Sequence, residues 1–181
     1  MATTWMLMAV PAEDYDELRH MVEFRQAQRG EQPAPTVEEL RSEDLKRAAV
    51  VRHAFEQHES WPQQALRRLA DGSTATTERF SRVMDLCVTI REESPDLPVI
   101  STTAIAERTG MTVEEWRAAC RKIGAHLEKH YPDVPRWTEG ASAEGRPMWP
   151  LVTISGRNLG VYDQLYVGVT SEQARRWQRI R

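Results

Sequence analysis

Cysteine is scarce in this 181-residue chain, and the two present, Cys87 and Cys120, form no C-x-x-C pair. A disulfide-stapled scaffold and a zinc site of that spacing are therefore out of reach. Both fall at apolar positions of expected helices, which reads as two buried free thiols in a reducing cytoplasm. No apolar run approaches the roughly 18 residues that span a bilayer, so no membrane partner is expected. The opening MATTWMLMAV lacks a basic leader and a small-residue cleavage site, and it is not read as a signal peptide. Also missing are G-x-S-x-G, a phosphate-cradling glycine loop and a dinucleotide fingerprint. The sequence thus points away from an enzyme, and no cofactor is expected.

Positive charge is not in excess either, since the net charge is −3. The two halves differ, however. Residues 1–96 carry 12 Lys/Arg against 18 Asp/Glu, whereas residues 97–181 carry 12 against 9. Only the C-terminal half is expected to offer a surface to phosphates.

The length allows one generous domain or two small ones. The element pattern predicts a mainly α chain with a small β component, an α+β protein in two parts. Residues 1–72 form a β-α unit and a helical region suited to regulation or dimerisation, and residues 73–181 form the second domain. In the first part TTWMLMAV reads as a strand ended by Pro11. Tyr15, Leu18, Met21, Val22 and Arg25 then recur at helical spacing, acidic residues first and Arg25 and Arg29 last, as the helix dipole favours. Gly30 stops this helix, and GEQPAPT is a linker. Thr36-Val37-Glu38-Glu39 has the form of a capping box for one or two helices reaching about His58. Their expected inward set is Leu40, Leu45, Ala48, Ala49 and Phe55. Ser60-Trp61-Pro62-Gln63 predicts another capping box, whose short helix closes at Asp71-Gly72.

From Thr76 a helix carries Phe80, Val83, Met84, Cys87 and Ile90 on one stripe and ends before Pro95. There follow an extended VIS, two helices, a polar loop from Pro132 to Pro147 and a β-hairpin. The hairpin arms are MWPLVTIS and VYDQLYVGV, around a GRNLG tip. Thr170 caps a last helix that packs Ala174, Trp177 and Ile180 and exposes Arg175, Arg176, Arg179 and Arg181. The joint between the two middle helices, TTAIAERTGMTVEEWRAACR from Thr102 to Arg121, is the most informative stretch. Small Ala106 allows the helices to approach, and Gly110 supplies a left-handed turn four residues on. Ser101 is an N-cap, and Ile105, Met111, Val113, Trp116 and Ala119 provide apolar contacts. With helix, strand, helix, turn, helix, hairpin and helix in that order, residues 76–181 resemble the winged helix-turn-helix superfamily. The hairpin at 148–169 is then the wing.

The resemblance implies a cytoplasmic, bacterial transcriptional regulator that binds double-stranded DNA. It also implies a homodimer, because such readers span half-sites about one helical turn apart. With Val113, Trp116, Cys120 and Ile123 facing inward, Arg117 and Arg121 lie one turn apart on the other face, suited to guanine edges or phosphates. Thr112, Glu114, Ala118 and Lys122 complete the expected DNA-facing set, and Arg157 at the hairpin tip would reach backbone or minor groove. Glu114 and Glu115 oppose phosphates there, but they favour a helix N-terminus. The other reading is a protein-interaction module on the same scaffold, in keeping with the acidic total charge.

His126 and His130 stand at i and i+4 in HLEKH, without the H-E-x-x-H order or a third ligand, so no metal is expected. A helix C-terminus there favours partly charged imidazoles. Of the six tryptophans, Trp137 alone sits in the polar loop, beside Arg136, where it is a candidate protein-contact residue.

Overall fold

A computed structural model describes residues 11–30, 37–138 and 144–181. The expected opening strand, the linker and the Thr36 end of the first capping box lie outside them. The chain divides into two compact units, Met1–Glu43 and Asp44–Arg181.

The first unit holds a 3-10 turn at Ala12–Asp14, α1 (Tyr15–Arg29) and the start of α2 (Val37–Glu56). Gly30 ends α1 in the left-handed conformation, its N–H donating to the Ala27 carbonyl at 3.1 Å. The expected apolar stripe of α1 is not buried: Tyr15, Met21 and Val22 are exposed, and Gln26 is the buried residue of this helix. Periodicity identifies residues that share a face, not whether that face is covered.

The second unit contains residues 44–56 of α2, then α3 (Gln63–Ala70), α4 (Ala75–Glu93), α5 (Thr102–Thr109), α6 (Val113–His130) and α7 (Ser171–Gln178). Strands β1 (Val99–Ser101), β2 (Val152–Ser155) and β3 (Leu165–Gly168) form an antiparallel sheet in the order β1-β3-β2. Side-chain alternation splits the sheet between two clusters. Ile100 and Val167 join the helical core, while Val152, Ile154, Val99 and Tyr166 turn to α2. Gly168 lets α2 approach closely: a Cβ there would meet the Pro98 carbonyl at 2.4 Å and the Phe55 ring at 2.8 Å.

The inward face of α2 is a correction. Leu40, Leu45 and Ala49 are exposed, and Val51 is buried with Val50, Ala54 and Phe55 beside it. The sheet, a long-range partner, selects which side of a weakly amphipathic helix is covered. A second correction concerns Ser60, which caps nothing. Helix α3 starts after Pro62 with no side-chain cap, and the Ser60 hydroxyl pairs with that of Thr170 at 2.8 Å. Arg176, expected to be exposed, is half-buried and donates to the Trp61 carbonyl at 2.5 Å.

Helix α4 is the central element, packing on α3, α5, α6, α7, β1 and β3. Phe80, Val83, Met84 and Cys87 are all fully buried, as its stripe predicts. Thr74 starts it by accepting from the Thr77 N–H, the reciprocal bond closing a capping box. Three large side chains tie the ends of the unit together through polar atoms. The Trp61 indole donates to the Met148 carbonyl at 3.1 Å, and buried Gln173 donates to the Pro150 carbonyl at 2.7 Å. The Trp177 indole donates to Asp85 at 2.7 Å. Each satisfies a donor that would otherwise cost about 1–3 kcal/mol when buried.

Candidate nucleic-acid interface

The helix–turn–helix joint is built by local chemistry. The Ser101 hydroxyl accepts from the Ala104 N–H at 3.2 Å and starts α5. Gly110 ends it at φ +70°, with its N–H on the Ala106 carbonyl at 3.1 Å. Thr112 then opens α6: its hydroxyl accepts from the Glu115 N–H at 3.1 Å, and the Glu115 carboxylate accepts from the Thr112 N–H at 2.8 Å. Arg79 of α4 donates to the other oxygen of Glu115 at 3.1 Å, fixing the start of α6 to the core.

Helix α6 presents two unlike faces. Trp116, Ala119, Ile123 and Leu127 are fully buried, and the Trp116 ring lies 4.9 Å from Phe80, centroid to centroid. Glu114, Arg117, Arg121 and Lys122 are exposed, and Ala118 is half-buried. Between this face and the hairpin lies a groove of about 410 Å³, lined on α6 by Trp116, Arg117, Cys120 and Arg121. Thr102 and the hairpin residues Ser155, Asp163, Gln164 and Leu165 form the rest. Arg117 and Arg121 thus meet in one groove, while Thr112, Glu114, Ala118, Lys122 and Arg157 do not line it. Arg157 lies in a 3-10 turn, Gly156–Leu159, at the start of the connection between β2 and β3. The expected GRNLG tip is only half of that connection, which runs on to Gln164.

Two acids stand among these arginines. Arg121 donates to Glu114 at 2.5 Å and Arg157 to Asp163 at 2.5 Å, with every partner more than half exposed. The Arg121 hydrogen bond, then the attraction of Arg121 and Arg117, holds the Glu114 carboxyl below the usual range. Asp163 likewise raises the Arg157 guanidinium. Burial pushes the Cys120 thiol up to about 12, so it is a neutral, apolar part of the groove wall.

Sequence reasoning missed Thr102, Ser155, Asp163 and Gln164. Gln164 locks the hairpin to α5, its side-chain oxygen accepting from the Thr103 hydroxyl at 3.1 Å and N–H at 3.3 Å. Thr102 donates to the Leu165 carbonyl at 3.0 Å. The one signal for them was the polar Asp163-Gln164 pair interrupting an apolar arm.

The His126 and His130 rings lie 4.8 Å apart. Burial, with His130 adding repulsion, lowers the His126 pKa and so works against the charging that the helix C-terminus favours. Among the described residues, no three His, Cys, Asp or Glu side chains group as metal ligands would, and no helix is long and apolar enough to cross a membrane. Trp137 is half-buried in a loop that folds on itself, its N–H on the Arg146 carbonyl at 3.0 Å. No family model, curated protein or solved structure matches the chain.

Proposed function

We propose that this chain is a winged helix-turn-helix protein that binds double-stranded DNA and regulates transcription, with α6 as the recognition helix and the β2–β3 hairpin as the wing. One observation carries the reading: Arg117 and Arg121 share the outward, groove-lining face of α6 while its other face is locked into the core. The β1-β3-β2 sheet order and the glycine turn between α5 and α6 support the same reading. In it the two arginines contact guanine edges or phosphates, Lys122 flanks them, and Arg157 reaches the backbone. Glu114 and Asp163 do not block this role. Exposed ion pairs are worth only about 0–1 kcal/mol, so a phosphate displaces the carboxylate at little cost. A homodimer in the cytoplasm, with residues 1–72 regulating or dimerising, completes the proposal.

The rival reading is a protein-interaction module. The observation favouring it is the interleaving of Glu114 and Asp163 with the arginines, which suits a partner of mixed charge. Selection from a random duplex library at about 50 mM and about 150 mM salt separates the two. Enrichment of a sequence, lost in the Arg117→Ala/Arg121→Ala variant at unchanged melting temperature, supports the regulator. Each base contact removed should cost about 1–3 kcal/mol at particular base pairs. No enrichment at either salt concentration moves the assignment to the interaction module. Binding that survives the double substitution places the DNA elsewhere on the chain.

A further inference from the structure

A second recess, of about 480 Å³, opens farther along α6 and shares only Cys120 and Arg121 with the first. Its volume falls within the roughly 300–1,000 Å³ typical of small-molecule sites. Trp137, Trp149 and Gly124 of α6 line it, with Arg121, Arg146 and Glu128 as its charged residues.

Gly124 is the unexplained feature. It sits inside a regular helix, where glycine costs about 0.5–1 kcal/mol relative to alanine. Its φ is not positive, and a Cβ at this position would meet nothing within 4 Å. Neither a turn nor packing within the second unit requires glycine there. What it leaves is a bare stretch of helix backbone in the wall of a recess that two tryptophans also line, as close approach by a flat ligand needs. The charge of the recess is net positive. Arg136 neutralises Glu128 through two bonds of 3.0 and 3.2 Å, whereas Arg146 has no ion-pair partner among the described residues.

We propose that this recess binds a planar aromatic carboxylate, its ring lying between Gly124 and the tryptophans and its carboxylate on Arg146, with Arg121 as second donor. Aromatic stacking supplies the affinity and the guanidinium selects the anion. The site shares Arg121 with the DNA reading but does not depend on it, and its test uses no DNA.

Calorimetric titration of the full chain with 2-naphthoate, and with neutral 2-naphthamide, tests it. The acid should saturate one site with a Kd below about 1 mM, at least tenfold tighter than the amide. Gly124→Leu should abolish binding, and Arg146→Gln, an exposed change that does not touch the core, should reduce the acid to the affinity of the amide. Equal binding of acid and amide, or acid binding unaltered by Arg146→Gln, overturns the proposal. So does a failure of both 2-naphthoate and benzoate to saturate the wild type by about 10 mM.

Discussion

On one side of α6, Trp116, Ala119, Ile123 and Leu127 lose all contact with water against α4 and its neighbours. On the other, Glu114, Arg117, Arg121 and Lys122 remain in solvent and are held, where they are held at all, by exposed ion pairs. The first face draws on apolar burial, worth about 1.5–3 kcal/mol for each large side chain. The second draws on pairs worth about 0–1 kcal/mol. A helix divided in this way has its position set by one face, which leaves the other free to exchange partners. Substitutions on the two faces should therefore separate cleanly into stability and binding.

The largest effect tests the buried face. Trp116→Ala should destabilise the protein by about 3–5 kcal/mol, measured by urea unfolding. The indole Nε1 of Trp116 is buried without a hydrogen-bond partner among the described residues, unlike those of Trp61 and Trp177. Trp116→Phe removes that orphan donor while keeping most of the ring, so it should cost roughly half as much or less. A Phe variant as unstable as the Ala variant would mean that the indole N–H is satisfied after all, and that Trp116 is anchored by more than packing.

What was legible in the sequence divides along similar physical lines. The Ser101 cap, the Gly110 turn and the Phe80–Cys87 stripe are each encoded within a few residues, and they stand where the pattern places them. Ser60 has the same local signature, but Thr170, 110 residues away in sequence, holds its hydroxyl instead. Leu45 and Val51 are equally apolar letters, and only the distant sheet decides that Val51 is covered. The outward face of α6 follows from periodicity, and so does the presence of Arg117 and Arg121 on it. The groove does not. It depends on the register of β3, which brings Gln164 to Thr103 and Asp163 beside Arg157. Contacts set by strand register leave no trace in a local pattern.

A smaller effect extends the contrast to titration. His58 is buried, its Nε2 2.9 Å from the Trp149 carbonyl and its Nδ1 without a partner among the described residues, and burial lowers its pKa. The unfolded chain takes up the proton near the ordinary value of about 6.5, before the folded protein does. Below that pH the unfolded state binds more protons, so stability falls as pH drops from about 6.5 toward the lowered folded pKa. The slope is at most about 1.4 kcal/mol per pH unit. Above pH 6.5 this residue contributes no pH dependence. Unfolding midpoints between pH 7.5 and 5 should show the loss, and His58→Gln should flatten it. An acid limb of unchanged slope in that variant would assign the proton to another group.

The smallest effect on stability belongs to Glu114 and tests the exposed face most directly. Its carboxylate accepts from Arg121, with the two side chains 69% and 62% exposed. It also lies in the first turn of α6, where a negative charge favours the helix. Glu114→Gln removes both effects and keeps the size of the side chain, so it should lower stability only slightly, since solvent screens both. Its effect on binding should run the other way. Arg121 is released and a charge that repels phosphate is gone, so affinity for duplex DNA should rise and the salt dependence should steepen by about one unit. Duplex titrations of wild type and variant at several salt concentrations measure both. If affinity falls instead, Glu114 holds Arg121 in its reading position, and the pair is part of the interface. If neither affinity nor slope moves, Arg121 does not face phosphate, and the outward face of α6 loses its claim to the DNA. A loss of stability approaching that of Trp116→Ala would break the comparison itself, because the exposed face would then share in holding the helix.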